Sequence, residues 1–201
     1  MQQKISTRTR IVAAARKLFS ERGFHRTAMA DLADHAQVSV GTIYRSFANK
    51  SEIVRAIAEA DTRDTLEDLR ENIGKVRDGT ITGAAAVEQL ICGWISKRTD
   101  ALEYEIVAEG HRNPEVAEVV VRISHQFRGL FKDLAASLRS DISEAEIEGF
   151  AELLLACLFG LGNREFTGPH LCEQETAKIV TWLLLRSLDV ETPSERSAMI
   201  K

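Results

Sequence analysis

An all-α fold is predicted by three features of this 201-residue chain. Apolar residues recur at spacings of three and four along most of its length, and the runs are punctuated by capping and stop signals. Only three prolines and twelve glycines are present, too few for an all-β chain that must reverse about every ten residues. The longest uncharged apolar run covers residues 153–162, well short of the ~20 residues of a membrane-spanning helix. With 44% hydrophobic and 28% charged residues, the chain is neither disordered nor a membrane protein. Cys92, Cys157 and Cys172 are odd in number and lack metal-ligand spacing. Together with the absence of an apolar secretory segment after Met1-Gln2-Gln3-Lys4, this predicts a reduced, cytoplasmic protein with no metal and no cofactor.

The elements follow in order. Ile11, Ala14, Ala15, Leu18 and Phe19 define an amphipathic helix over about residues 7–22. Gly23 stops it, and Phe24 can fold back on Phe19 as in a Schellman motif. Thr27 reads as the N-cap of a short second helix, residues 28–35, with Asp31 in its first turn and Leu32 and Ala33 inward. Ala36-Gln37-Val38 is long enough only for a tight turn. Ser39 then caps a third helix ending near Arg45 or Ser46, and Asn49 and Glu52 form the capping box of a fourth. That fourth helix runs to about Asn72, and its middle, Asp61-Thr62-Arg63-Asp64-Thr65, is polar all round, either solvated or lining a polar cavity.

Gly79 and Gly83 bracket a loop before a fifth helix, about residues 84–97, carrying Val87, Leu90, Ile91 and Trp94. Asp100 can cap a sixth that reaches Gly110-His111. Asn113-Pro114, an N-cap followed by proline at the first helical position, opens a seventh with an apolar stripe from Val116 to Leu138. Ser143 and Glu146 box the start of an eighth, and a ninth spans Glu173 to Leu188, followed by a polar tail after Val190.

Two short helices joined by a three-residue turn and braced by a longer one make a helix-turn-helix. On the second of them Ile43 and Phe47 face inward with Val38, while Ser39, Thr42, Arg45 and Ser46 face outward. Gly41 costs so short a helix about 1 kcal/mol relative to alanine; close approach to a DNA backbone and simple looseness at an exposed helix start both account for it. The charge distribution favours a polyanion partner. Residues 1–50 hold nine Lys/Arg and three Asp/Glu, a net +6, whereas the remaining 151 carry a net −10.

The stretch Ala28-Met29-Ala30-Asp31-Leu32-Ala33, then Val38-Ser39-Val40-Gly41-Thr42-Ile43-Tyr44-Arg45-Ser46-Phe47-Ala48-Asn49-Lys50-Ser51-Glu52, resembles the DNA-binding domain of the TetR family of bacterial regulators. Leu18-Phe19, Gly23-Phe24 and Thr27 fall in register with it. Ala48 and Ser51 depart from the commoner residues at their positions. The resemblance implies an N-terminal three-helix DNA-binding domain, residues 1–50, and a larger helical domain for ligand binding and dimerisation, residues 51–201, with about nine helices in all. It also implies that Thr27 and Tyr44 hydrogen-bond phosphates and that Lys50 pairs with a phosphate beside the fourth helix's N-terminus. Thr42 and Val40 can offer methyl groups to thymine, and Arg45 can reach guanine, a phosphate or only solvent. With Ser39 and Gly41 these complete the expected contact set. Glu109-Gly110-His111-Arg112-Asn113-Pro114-Glu115 resembles the junction of the sixth and seventh helices in the family.

The last two long helices are apolar nearly all round, so one face of them is expected to pair in a homodimer whose two heads read a palindromic, double-stranded operator. In particular Leu154, Leu158 and Leu184 are expected to need that partner. The expected function is a transcriptional repressor released from its operator by a small, mostly apolar effector. Trp94, Tyr104, Phe127, Phe131, Phe159 and Phe166 are candidate apolar contacts for it, and His111, His125, Asn163 and Arg164 candidate polar ones. Two other classes compete. One is a DNA-binding regulator whose body senses a protein. The other is a small helical enzyme, for which neither a nucleophile motif nor a phosphate loop is present.

Overall fold

The computed structural model describes residues 6–97 and 101–188, and every regular element among them is helical. In chain order these are α1 (Thr7–Arg22), α2 (Met29–Ala36), α3 (Val40–Ser46), α4 (Lys50–Arg77), α5 (Gly83–Ser96), α6 (Ala101–Gly110), α7 (Pro114–Leu138), α8 (Glu144–Gly162), a short 3-10 turn (Arg164–Thr167) and α9 (Glu173–Arg186). The expected cap Asp100 and the tail after Val190 lie outside the described residues. The chain falls into two compact units, one drawn from stretches 1–64 and 100–123, the other from 65–99 and 124–201. Position 50 begins α4, which is continuous to Arg77. No helix among the described residues is long and apolar enough to cross a membrane.

In the first unit α1 packs on α2 and α6, and α2 packs on α3. Its core is built from Ile11, Leu18 and Phe19 of α1, Leu32 of α2, Ile43 and Phe47 around α3, Ile53 and Ile57 of α4, and Leu102 of α6, all buried. Helix α1 starts where the Ser6 side chain accepts the Thr9 N–H at 3.1 Å. It stops at Gly23, whose N–H reaches the Phe19 carbonyl at 2.8 Å. The Phe19 and Phe24 rings meet at 5.5 Å, as the spacing predicts. The stop itself differs from a Schellman turn: Gly23 has φ 80° and ψ 160°, extended rather than left-handed helical, and at positive φ in a region that a side chain disfavours.

The start of α2 also differs. Ala28, not Thr27, is the N-cap, and its N–H is taken by the Asp31 carboxylate at 2.9 Å. Thr27 sits one residue too early to reach the helix's free amides and turns inward instead. Helix α4 outruns its expected end at Asn72 because Ile73 keeps the apolar period and is buried.

In the second unit α5 packs along α9 and against α8. Thr82 caps α5 by accepting the Ala85 N–H at 3.1 Å. Two ion pairs lace α7 to α8, Arg128 with Glu152 and Lys132 with Glu148, and Arg139, just past α7, adds a third with Glu146. Partner numbers fall on α8 as they rise on α7, so the two helices run antiparallel. Leu154, Leu158 and Leu184 are buried within this unit and form its core with Phe131, Phe150 and Leu185. The expectation that these three leucines wait for a partner is therefore overturned: the chain buries them by itself. The apolar side chains left exposed on the same helices are Leu153, Phe159, Ile179, Trp182 and Leu183.

Reciprocal caps open α8 and α9. Hydrogen bonds from the Ser143 side chain and N–H hold the Glu146 carboxyl below its ordinary 4.5. Those from Cys172 do the same for Glu175. A carboxyl depressed by folding contributes stability that is fully present above its unfolded value and lost as pH falls through its folded one. We expect the melting temperature to drop on acidification below pH 4.5, and Ser143→Ala to shrink that drop. Thermal unfolding followed by circular dichroism across that range checks both; a Ser143→Ala variant with undiminished acid sensitivity would contradict the assignment.

Candidate nucleic-acid interface

Helix α3 is seven residues long and holds one side inward. Ile43 and Phe47 are fully buried, and Val38 packs against the same core. The other side chains of the helix are half-buried or exposed, and the polar ones form one row. Ser39 caps the helix by accepting the Thr42 N–H at 3.1 Å, and its hydroxyl shares a hydrogen bond with that of Thr42 at 2.8 Å. Arg45 then donates to the Thr42 hydroxyl at 2.8 Å. Val40 is exposed beside this row, and Tyr44 is 55% exposed, so it does not belong to the core. Gly41 lies open: a Cβ there would meet nothing nearer than the Ser39 hydroxyl at 3.9 Å. Nothing inside the protein requires a glycine at that position.

Two positions turn inward more than the sequence implied. Thr27 is fully buried, and its hydroxyl donates to the Gly23 carbonyl at 3.0 Å, with the Leu18 carbonyl at 3.4 Å. It ties down the connection between α1 and α2. The Lys50 ammonium donates to the carbonyls of Phe24 at 2.8 Å and Thr27 at 3.1 Å, and lies 4.6 Å from the centre of the Phe24 ring. Partial burial lowers its pKa below 10.5, with the charge of Glu109 acting in the opposite direction. The ammonium has three donors, and two of them are engaged. Asn49 accepts the Glu52 N–H at 2.9 Å, as the capping box predicts, but the Glu52 carboxylate reaches back to Ala48 rather than to Asn49.

Several neighbours of this surface had no signature in the sequence. Arg8 and Arg10 of α1 reach the main chain on either side of α3. Gln37 takes the left-handed conformation, φ 53° and ψ 49°, that closes the turn between α2 and α3. Glu109, 4% exposed, meets the ring of His25 at 2.7 Å with Arg112 at 3.9 Å. His35 is exposed.

The expected effector contacts are dispersed. Trp94 stands edge-on to Phe127 at 5.5 Å, and Phe127 lies 5.9 Å from Phe131, all in the second unit. Tyr104, partly buried, and His111, exposed, belong to the first unit. His125 and Phe159 face solvent. Phe166 is 84% exposed, and Arg164 is occupied by the Leu171 carbonyl and the Thr176 hydroxyl. A shallow groove of about 280 Å³ is lined by Arg10, Ala13, Ala14, His35, Ala36 and Gln37, and a pocket of about 10 Å³ lies beside Phe19, Phe24, Leu102 and Glu109. Neither includes an expected effector contact.

Residues 11–57 match the model of the bacterial regulatory proteins of the tetR family. The HTH-type transcriptional regulator UidR of Escherichia coli (strain K12) is 36% identical over 119 residues, and the match spans 57% of this chain and 57% of UidR. Among solved structures, Salmonella enterica GusR is 28% identical with a TM-score of 0.66, covering 92% of this chain and 98% of GusR. NalD of Pseudomonas aeruginosa, the secondary repressor of the MexAB-OprM multidrug efflux pump, is 24% identical with a TM-score of 0.66 over 90% of this chain and 96% of its own, a likeness of fold.

Proposed function

We propose a ligand-responsive transcriptional repressor of the TetR family that binds a palindromic operator as a homodimer, a reading supported by the family match of residues 11–57 and by the likeness to UidR and GusR. The observation that carries the DNA contact is the outward row of Ser39, Thr42 and Arg45 on a braced α3, flanked by exposed Val40 and Tyr44 and by a glycine that internal packing does not need. Thr42 and Val40 supply methyl groups for thymine, Arg45 a forked donor for guanine or phosphate, and the Tyr44 hydroxyl a phosphate ligand. Gly41 lets the backbone of α3 come close to the duplex. The third donor of Lys50 is left for a phosphate, while Thr27 acts from behind by fixing the turn that Lys50 grips. A dimer sitting on its operator excludes other proteins from that DNA, so repression needs no further activity.

Binding of this kind is expected to weaken steeply as salt rises, because phosphate contacts dominate it. Tyr44→Phe should reduce affinity for every duplex, and Thr42→Ala should blur discrimination at one base pair. Gly41→Ala separates fold from function: the protein should melt higher, by up to about 1 kcal/mol of added stability, yet bind DNA less tightly. Fluorescence anisotropy against selected and random duplexes measures all three. Unchanged affinities in every variant would remove α3 from the interface.

A second copy of the chain is the proposed occupant of the exposed apolar face of α8 and α9. Ile179, Trp182 and Leu183 recur at i, i+3 and i+4, with Leu153 and Phe159 exposed on α8. A two-fold axis there would let two heads meet half-sites about 34–36 Å apart. The wild type should sediment as a dimer at micromolar concentration. Ile179→Glu combined with Leu183→Glu should give a helical monomer that has lost high-affinity operator binding; a monomeric wild type would end the proposal.

The effector is proposed to be small and mostly apolar, held in the second unit near Trp94, Phe127 and Phe131. A ligand at a hundredfold excess over its Kd stabilises its preferred state by ~2.7 kcal/mol, enough for a thermal-shift screen of hydrophobic compounds. The same compounds must weaken operator binding, because coupling between two sites is reciprocal. Compounds that raise the melting temperature but leave operator affinity intact would refute induction and favour a body that senses a protein.

A further inference from the structure

We propose that Arg8 and Arg10 of α1 are positioning residues for DNA recognition, a pair of clamps that hold the two ends of α3 at the angle it presents to a base sequence. The inference rests on the DNA-binding role of α3 argued above. At its leading end the Arg10 guanidinium donates to two successive carbonyls, Ala36 at 2.5 Å and Gln37 at 2.9 Å. Those carbonyls belong to the last residue of α2 and to the turn residue itself. The turn is closed by the Val38 N–H on Ala33 at 2.9 Å and the Gln37 N–H on Asp34 at 3.1 Å, the two bonds of a Schellman motif. The motif favours glycine at the left-handed position. Here a glutamine holds it, the one non-glycine residue at positive φ among those described, and a Cβ there disfavours the conformation. A single guanidinium nitrogen, Nη2, donates to both carbonyls and so opposes relaxation of that turn; a lysine ammonium ends one bond short of that position.

At the trailing end Arg8 donates to the carbonyl of Ser46, the last residue of α3, at 2.9 Å. Its guanidinium lies over the Phe47 ring, 4.2 Å from the centroid. Phe47 leaves the helix in extended conformation and is buried, so Arg8 grips the point at which α3 ends. Arg8 and Arg10 are two residues apart, about 200° around α1, and so point to different sides of it. From different sides of α1 the two reach the turn before α3 and the last residue of α3. Neither guanidinium needs to touch DNA to matter: a small rotation of α3 would move Thr42 and Arg45 off their base edges while leaving the general attraction to phosphate intact.

The competing explanation, direct phosphate contact, makes opposite predictions. The test uses the full chain, a duplex that the wild type enriches from a randomised pool, and a scrambled duplex of equal length. Arg8→Ala, Arg10→Ala and Arg10→Lys should each lower affinity for the selected duplex about tenfold, comparable to a mismatched base pair. Affinity for the scrambled duplex and the salt slope should stay unchanged. In the free protein, amides of residues 42–47 should exchange with solvent about fivefold faster, while those of α1 do not. Arg10→Lys keeps the charge and serves if an alanine variant fails to fold. Equal losses on both duplexes, a salt slope reduced by about one per arginine and a near-normal Arg10→Lys would assign these arginines to phosphates and overturn the clamp. So would unchanged affinities throughout. If the wild type enriches no duplex, the DNA-binding reading fails, and the clamp stands or falls on amide exchange alone.

Discussion

A helix of seven residues does not persist in water by its own hydrogen bonds, because nucleating a turn costs more than so few bonds return. All that α3 offers outward therefore depends on what it buries, and it buries little: Ile43, with Phe47 just past its end. Two large apolar side chains contribute roughly 3–6 kcal/mol of burial, enough to hold a short helix down but not to fix its angle. The remaining constraints come from its ends. Ser39 satisfies a free amide at the start, while α1 supplies donors for the carbonyls at both turns. The first unit is in this sense a frame around one exposed polar row.

That frame changes how the charge of the N-terminal stretch is understood. A net of +6 over residues 1–50 suggests a broad electrostatic footprint, yet several of those cations face the protein. Arg8, Arg10, Arg26 and Lys50 each donate to main-chain carbonyls, and Arg16 pairs with Asp61. Cations placed at the carbonyl ends of short helices stabilise them by satisfying acceptors that the helix leaves unpaired. The same charge thus serves two ends, organising the unit and raising the potential around it.

Much of the fold was legible in the sequence because helix boundaries are written locally. Ser39, Asn49, Asn113 and Ser143 cap where their side-chain chemistry says they should, since a cap and the amide it accepts lie within three residues. Thr27 misled because a threonine before a helix serves equally as a cap or as a buried donor, and only the position of the Gly23 and Leu18 carbonyls decides. Leu154 and Leu184 misled for a related reason. A helix apolar on all sides has no periodicity from which to tell the covered face from the open one. The arginines of α1 left no trace at all: their partners lie 26 to 38 residues away and are carbonyls, which every residue possesses.

Glu109 shows how closely the end of α6 is bound to the same frame. A carboxylate at 4% exposure has lost most of its hydration and must be compensated by nearby hydrogen-bond partners and cations. His25 comes from the connection between α1 and α2, Arg112 from the turn after α6, and Lys50 from the first turn of α4. Lys50 in turn holds the carbonyls of Phe24 and Thr27, so the field of one buried charge reaches a side chain that fastens the connection between α1 and α2. Moving the end of α6 would withdraw the carboxylate from Lys50, and the ammonium would then answer only to desolvation and the two carbonyls. The residue poised between Glu109 and a proposed phosphate contact is thus also the one that fastens the connection between α1 and α2, which places α6 within one side chain of the unit's proposed recognition surface.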